Sequence, residues 1–244
     1  MAILLIRLCG PMQSWGTRSR WSERDTELEP TLSGVTGLIC AAMGHQRDLD
    51  LPPALLDSGY DLGVRVLREG TPANDYHTAG GGYPKGQGVA RADGGRLDNA
   101  VLSNRQYLAD ADFLCGLVHP DGGFLGEVEA ALKAPVWQLY LGRKAFVPSV
   151  PIWLGKARPG LREGGRDELK AILSGEDPPP IPGDERRRER RLGRGHERFV
   201  LPASSETSSE SRWDRPQADS FRSRRFRVRY VRTSFEPSKE ASHA

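Results

Sequence analysis

The sequence predicts an α+β fold: a ferredoxin-like β-α-β-β-α-β core with one long insertion, followed by a reduced, mostly β C-terminal domain. Three observations predict it. Ala2–Leu8 is an almost unbroken apolar run of strand length. Two segments with helical character, 30–44 and 124–133, each follow a strand-like segment. Between the two β-α units lies a stretch, 69–104, with neither period. This order of elements is also the layout of the RNA-recognition motif.

Each element has its own signal. A short apolar run with no polar alternation suits a strand covered on both faces. Residues 30–44 read as a helix capped by Thr31 or Ser33 and stopped by Gly44. Between strand and helix lies a polar loop with Gln13, Trp15 and Trp21 among several arginines, as expected of a surface that grips an extended polyanion. Leu62–Arg68 alternates as a second strand, and 69–104 follows with two glycine-rich turns. So long a stretch inside a compact domain is usually functional or disordered. Residues 103–119 return to β-type sequence. Phe124–Lys133 puts Leu125, Val128 and Leu132 on one helical stripe, ended by Pro135, and 136–141 is expected to be a further strand. Beyond 148 come a Pro/Gly-rich stretch, a short helix near 166–173, a stiff Pro178–Gly183 linker and a low-complexity run at 204–211. Phe226–Val231 reads as a late strand with an arginine face. The expected division is 1–149, with the insertion near 75–104; then 150–235, with 178–215 flexible; then a tail, 236–244.

Charge and cysteine content narrow the function. The 244 residues carry a net charge of only +3, but 184–198 and 222–232 are dense in arginine. Such clusters are the usual footprint of phosphate contacts, or else a solvated Arg/Glu surface. Cys9, Cys40 and Cys115 all sit in apolar segments, which fits a reducing cytoplasm. No signal peptide and no membrane span is recognisable. The glycines at 80–88 lack the GK[ST] ending of a phosphate loop and suit hairpin turns better. Five scattered histidines make no metal-ligand spacing, so neither metal nor cofactor is expected.

Ordered motifs add a resemblance. Gly10–Gly16 (GPMQSWG), Pro30–Gly44, Asp75–Thr78 (DYHT), Arg105–Phe113 and Tyr140–Lys144 (YLGRK) occur in sequence over about residues 1–155. Together they resemble the Cas-five family of CRISPR-associated proteins (RAMP superfamily), in its type I-E form. The resemblance implies the same ferredoxin-like fold, with the insertion as a protruding β-hairpin thumb. It implies a non-catalytic subunit of the Cascade surveillance complex that caps the 5′ handle of the CRISPR RNA. Implied partners are that RNA, the backbone subunit, the large PAM-reading subunit and, indirectly, target DNA. The candidate RNA-binding residues are Gln13, Trp15, Arg18, Arg20, Arg24, Thr31, Ser33, Tyr76, His77, Lys85, Arg105, Tyr107, Arg143 and Lys144. Aromatic planes hold unstacked bases and guanidiniums grip phosphates. Two alternatives stand beside this reading. Tyr76, His77 and Lys85 could supply a base and a cation for metal-independent RNA cleavage, as in the type I-C relatives. The chain could instead be a protein-only scaffold. Whichever holds, Trp153 and Trp213 are expected at subunit contacts if the reduced second domain cannot complete its own core.

Overall fold

The computed structural model describes residues 1–18, 22–90, 94–154, 160–179, 181, 196–204 and 209–237. Its framework is an antiparallel sheet whose strands follow from the apolar runs. These are β1 (Ala2–Cys9), β4 (Asp61–Arg68), β9 (Asp112–His119), β10 (Leu161–Glu163), β11 (His196–Pro202), β12 (Glu210–Arg215) and β13 (Arg227–Pro237). They lie in the order β10-β1-β9-β4-β11-β13-β12. All eight residues of β1 are buried, as a run without polar alternation requires. Leu4, Ile6 and Leu8 face the larger core with helices α1 (Leu32–Met43) and α2 (Gly122–Lys133). Ile3 and Leu5 face a second core with Leu169 and Leu173 of α3 (Leu169–Gly175). Each of these fully buried side chains contributes about 1.5–3 kcal/mol. Gly63 and Gly116 are paired across β4 and β9, and a Cβ on either would lie 2.5 Å from Leu169. Glycine there makes the dent that seats α3.

Thr31 caps α1 by accepting from the Gly34 amide at 3.2 Å, and Gly44 ends it with φ 73°. Asp121 caps α2 by accepting from the amides of Gly123 and Phe124. One strand expectation fails: 136–141 is not a strand. The Val136 and Trp137 amides instead donate to the Ala42 and Ala41 carbonyls at the end of α1. A strand does follow α2, but about twenty residues further on: β10, which pairs with β1 and lies in a segment with no alternation to betray it. Strands β11 and β12 likewise lie inside the 178–215 stretch, where no periodicity announces them. Pairing of β11 with β4 makes the C-terminal strands continue the same sheet.

The insertion is an ordered ladder. Strand β5 (Thr71–Ala79) pairs antiparallel with β8 (Val101–Ala109) over its whole length, Thr71 opposite Ala109 and Ala79 opposite Val101. A smaller hairpin, β6 (Val89–Ala90) with β7 (Arg96–Leu97), lies beyond it. Two short strands, β2 (Met12–Gln13) and β3 (Glu23–Arg24), pair with the other edge of β8. The loop after β1 is thereby bound to the root of the hairpin.

The arginines expected to grip phosphate are divided. Arg229 is buried, with two bonds to Asp214 (3.0 and 2.8 Å) and one to the Leu62 carbonyl. Arg198 binds Glu29 and Glu69, both at 2.7 Å. Arg222 pairs with Asp50. These three are occupied by the fold. Residues 184–195 lie outside the described residues.

Candidate nucleic-acid interface

The loop after β1 is built as a platform. Gln13 is fully buried; its Nε2 donates to the carbonyls of Leu8 (3.0 Å) and Ala111 (2.9 Å), while its Oε1 accepts from Trp15 Nε1 at 3.1 Å. One side chain thus ties the end of β1 to the start of β9 and to the indole. The Trp15 ring lies on Gly34, where a Cβ would stand 2.8 Å from it. The Ser14 amide donates to the Leu141 carbonyl at 3.0 Å. Gly142, at φ 97°, passes so close that a Cβ would be 1.9 Å from the Ser14 carbonyl oxygen. Gln13 and Trp15, together with the buried Thr31 and Ser33, are taken up by this packing.

What the platform presents is cationic. Cross-strand neighbours share a face, and Arg24 of β3, Arg105 of β8 and Asp75 of β5 are in register across three strands. Arg143 reaches the same place from the 140–146 loop. It donates to the Arg24 carbonyl at 3.2 Å and lies over the Phe146 ring at 5.5 Å. Burial, then Arg105 and Arg24, pull the Arg143 guanidinium below its ordinary value, against the opposing pull of Asp25 and Asp75. Among the described residues, none of Arg24, Arg105 and Arg143 forms an ion pair. Arg105 Nε donates to Ser103 Oγ at 2.9 Å, and Tyr107 packs on Phe146 at 5.9 Å between ring centres. His77 lies across from Ser103, on this face, and its buried Nδ1 has no hydrogen-bond partner. Lys144 is exposed beside Arg143.

The remaining candidates stand apart. Tyr76, 64% exposed, points from the opposite face of β5, since successive side chains alternate. Lys85 is exposed beyond the β5–β8 ladder. Arg18 is exposed on the loop, its amide bound to Asp25. Arg20 lies outside the described residues. The cleavage set Tyr76, His77 and Lys85 is therefore not brought together. No His/Cys/Asp/Glu group among the described residues could hold a metal. The three cysteines are buried and form no disulfide, and burial pushes the Cys40 thiol up to about 12. Among the described residues no helix is long and apolar enough to cross a membrane.

Ser103, Phe146, Asp25 and Asp75 belong to the site and were not candidates. They enter through strand register and loop closure, which no local motif encodes.

Clustered guanidiniums beside two aromatic rings, on the root of a protruding hairpin, fit a phosphodiester chain. Similarity to known proteins agrees with the motifs. The family model described as CRISPR-associated protein (Cas_Cas5) matches residues 3–232. The chain belongs to this CRISPR-associated Cas5 family. Among Cas5 relatives, the CRISPR system Cascade subunit CasD of Escherichia coli (strain K12) is 31% identical over 191 residues, which cover 74% of this chain and 79% of that protein. A chain from a CRISPR RNA-guided surveillance complex superimposes with a TM-score of 0.73 at 30% identity, covering 99% of this Cas5 chain and 96% of its own. A crystal structure of a Cas protein matches with a TM-score of 0.66 at 33% identity, covering 97% and 96%.

Proposed function

We propose that this Cas5 protein is a non-catalytic, RNA-binding subunit of a type I-E Cascade complex that holds the 5′ handle of the CRISPR RNA. The observation that carries the reading is the Arg24–Arg105–Arg143 cluster: three guanidiniums from three elements, none in an ion pair among the described residues, with Asp25 and Asp75 as the nearby carboxylates. Three cations with no ion pair leave positive charge for a further anion, and a phosphodiester supplies it. Tyr107 and His77 are the stacking or base-contacting groups beside it and Lys144 extends the positive track, while Tyr76, Arg18 and Lys85 would meet the RNA away from the cluster. Gln13, Trp15, Thr31 and Ser33 act by fixing the platform. The strand order β10-β1-β9-β4, with α1 and α2 as the connections, supports a ferredoxin-like core. Its fourth strand comes from the 150–235 segment. The β5–β8 hairpin is the thumb, placed to cross the guide where handle meets spacer. The backbone and large subunits of the complex are the protein partners, target DNA is reached through them, and the working place is the cytoplasm.

The test mixes purified protein with labelled repeat-derived RNA, without metal. Tight binding of uncut handle is expected. Arg105→Ala and Arg143→Ala should each weaken it and lower the salt dependence by roughly one phosphate contact. Cleavage to a cyclic phosphate would establish the endonuclease instead. Unchanged affinity in all the arginine variants would remove the site, and absence of any binding would leave the protein-only scaffold.

A further inference from the structure

Beyond β11, where β13 and β12 close the sheet, lies a second cationic, aromatic surface. Residues 220–235 hold six arginines and no acidic residue. Arg222 and Arg229 are neutralised by Asp50 and Asp214. Among the described residues, Arg224, Arg225 and Arg232 have no ion pair, and all three are exposed. Arg224 also holds a left-handed φ of 56°, a conformation usually left to glycine or asparagine. The strand beside them is the sheet's edge. On β12, Arg212 and Asp214 turn inward to Glu29 and Arg229. Trp213 between them therefore turns outward, and it is 61% exposed. The register of Ser211 with Tyr230 puts Ser211, Val228, Tyr230 and Arg232 on one face, and Trp213, at the irregularity between Arg212 and Arg215, is turned to that side by its inward neighbours. Helix α3 covers the same side of the sheet over β4, β9 and β11 and stops short of them.

We propose that this face binds a second single strand of nucleic acid, separate from the RNA held at the root of the hairpin. An exposed indole offers a plane to an unstacked base, and the arginines without ion pairs, Arg232 on the adjoining strand and Arg224 and Arg225 in the turn before it, meet its phosphates. Charge chooses the occupant. An apolar protein partner would leave Arg232 and the Arg224–Arg225 turn unmatched, whereas a polyanion of regular phosphate spacing matches both. Of the other arginines of these strands, Arg212, Arg215 and Arg229 are paired with carboxylates and Arg227 is bound to Gln217.

The experiment uses the full chain with unlabelled handle RNA in saturating amount. To it is added a labelled, non-complementary single strand of about 20 nucleotides, longer than one typical single-strand site. DNA and RNA versions form two arms, and the tighter arm identifies the physiological strand. The wild type should retain the labelled strand in the presence of handle. Trp213→Ala should weaken that retention roughly 5- to 100-fold. The triple change Arg224→Ala, Arg225→Ala, Arg232→Ala should lower the salt slope by about 2 to 3. Handle affinity should be unchanged in all of these, and Arg105→Ala should spare the labelled strand. These positions are exposed, and thermal melts establish that the variants are folded. Complete displacement of the strand by handle, wild-type retention in the variants, or loss only in Arg105→Ala would overturn the proposal. So would a preference for duplex over single strand. Variants that hold the strand normally but no longer assemble with other Cascade proteins would mark the face as a protein contact, and the proposal would fall. Should the chain bind no handle at all, retention is measured without competitor, and the second surface is judged separately.

Discussion

Gln13 shows how a side chain of a candidate binding loop is spent inside the fold. Its amide donates to two strand-end carbonyls and accepts the Trp15 indole N–H in the core. Gln13→Ala would strand three polar groups. At about 1–3 kcal/mol for each buried group left unsatisfied, a fall in melting temperature on the order of 10 °C is expected. Gln13→Glu should be worse, since a carboxylate would face the Leu8 and Ala111 carbonyls. Calorimetry of both variants checks this, and a melt unchanged in Gln13→Ala would mean that water replaces the amide. The motif around Gln13 and Trp15 is legible in sequence as a motif, but its role is not. A tryptophan in a polar, glycine-bounded loop looks like a stacking plane until the bare Gly34 shows where it lies. Arg105 and Arg143 are legible as cations. Their convergence, over sequence separations of many residues, depends on a ladder register that local sequence does not state.

The elements with one clear period were readable: β1 from its unbroken apolar run, α1 from its caps, and α2 from its stripe. Strand β5 was not, because most of it is exposed and no covered face imposes alternation, whereas most of β8 falls in the 103–119 segment read as β-type. The segment 136–141 has strand-like residues but spends its first amides on the carbonyls ending α1. Strand β12 is set by charge rather than by period. Asp214 accepts from the Leu32 amide at 2.8 Å and binds the buried Arg229, so one carboxylate joins the N-terminus of α1 to the C-terminal strands. Burial would raise its pKa, but the Arg229 charge and bonds together with the Leu32 amide outweigh this and hold it below the usual carboxylate value. A carboxyl with a lowered folded pKa stabilises the fold above its unfolded value, about 3.9, and loses that contribution as pH falls through the folded one. Asp214→Ala would leave Arg229 short of its main partner and the α1 amide open, at a cost of about 3–5 kcal/mol. The expected readout is a melting temperature lowered on the order of 10 °C at pH 7, with the difference from wild type shrinking below pH ~4. A gap that stays constant down to pH 2 would assign the loss to packing instead of charge.

In the whole molecule, the insertion is carried by the core without being needed by it. The β5–β8 ladder spans nine residues a side, about 30 Å at roughly 3.4 Å per residue, and Tyr76, Val101 and Leu102 on it are exposed. Its root is different: Leu108 and Ser103 are buried, and β2 and β3 pair with β8 there. Removing the root would dismantle the arginine cluster, whereas removing the end would leave both the core and the cluster in place. Replacing Gly80–Asp98 by a short Gly/Ser turn keeps β5 and β8 in register through Ala79 and Val101. The melting temperature of the purified subunit should then change by no more than about 2 °C, since most surface substitutions away from packed features cost little. Handle binding, proposed to rest on Arg24, Arg105 and Arg143, should also survive. What should fail is the step that uses the projection: the yield of complex carrying guide RNA, and with it target binding. Comparing the subunit's melt and handle affinity with the yield of loaded complex separates these effects. Normal loading and normal target binding in the shortened protein would reduce the projecting end to a tolerated loop, and a lowered melt would show that the core leans on it after all.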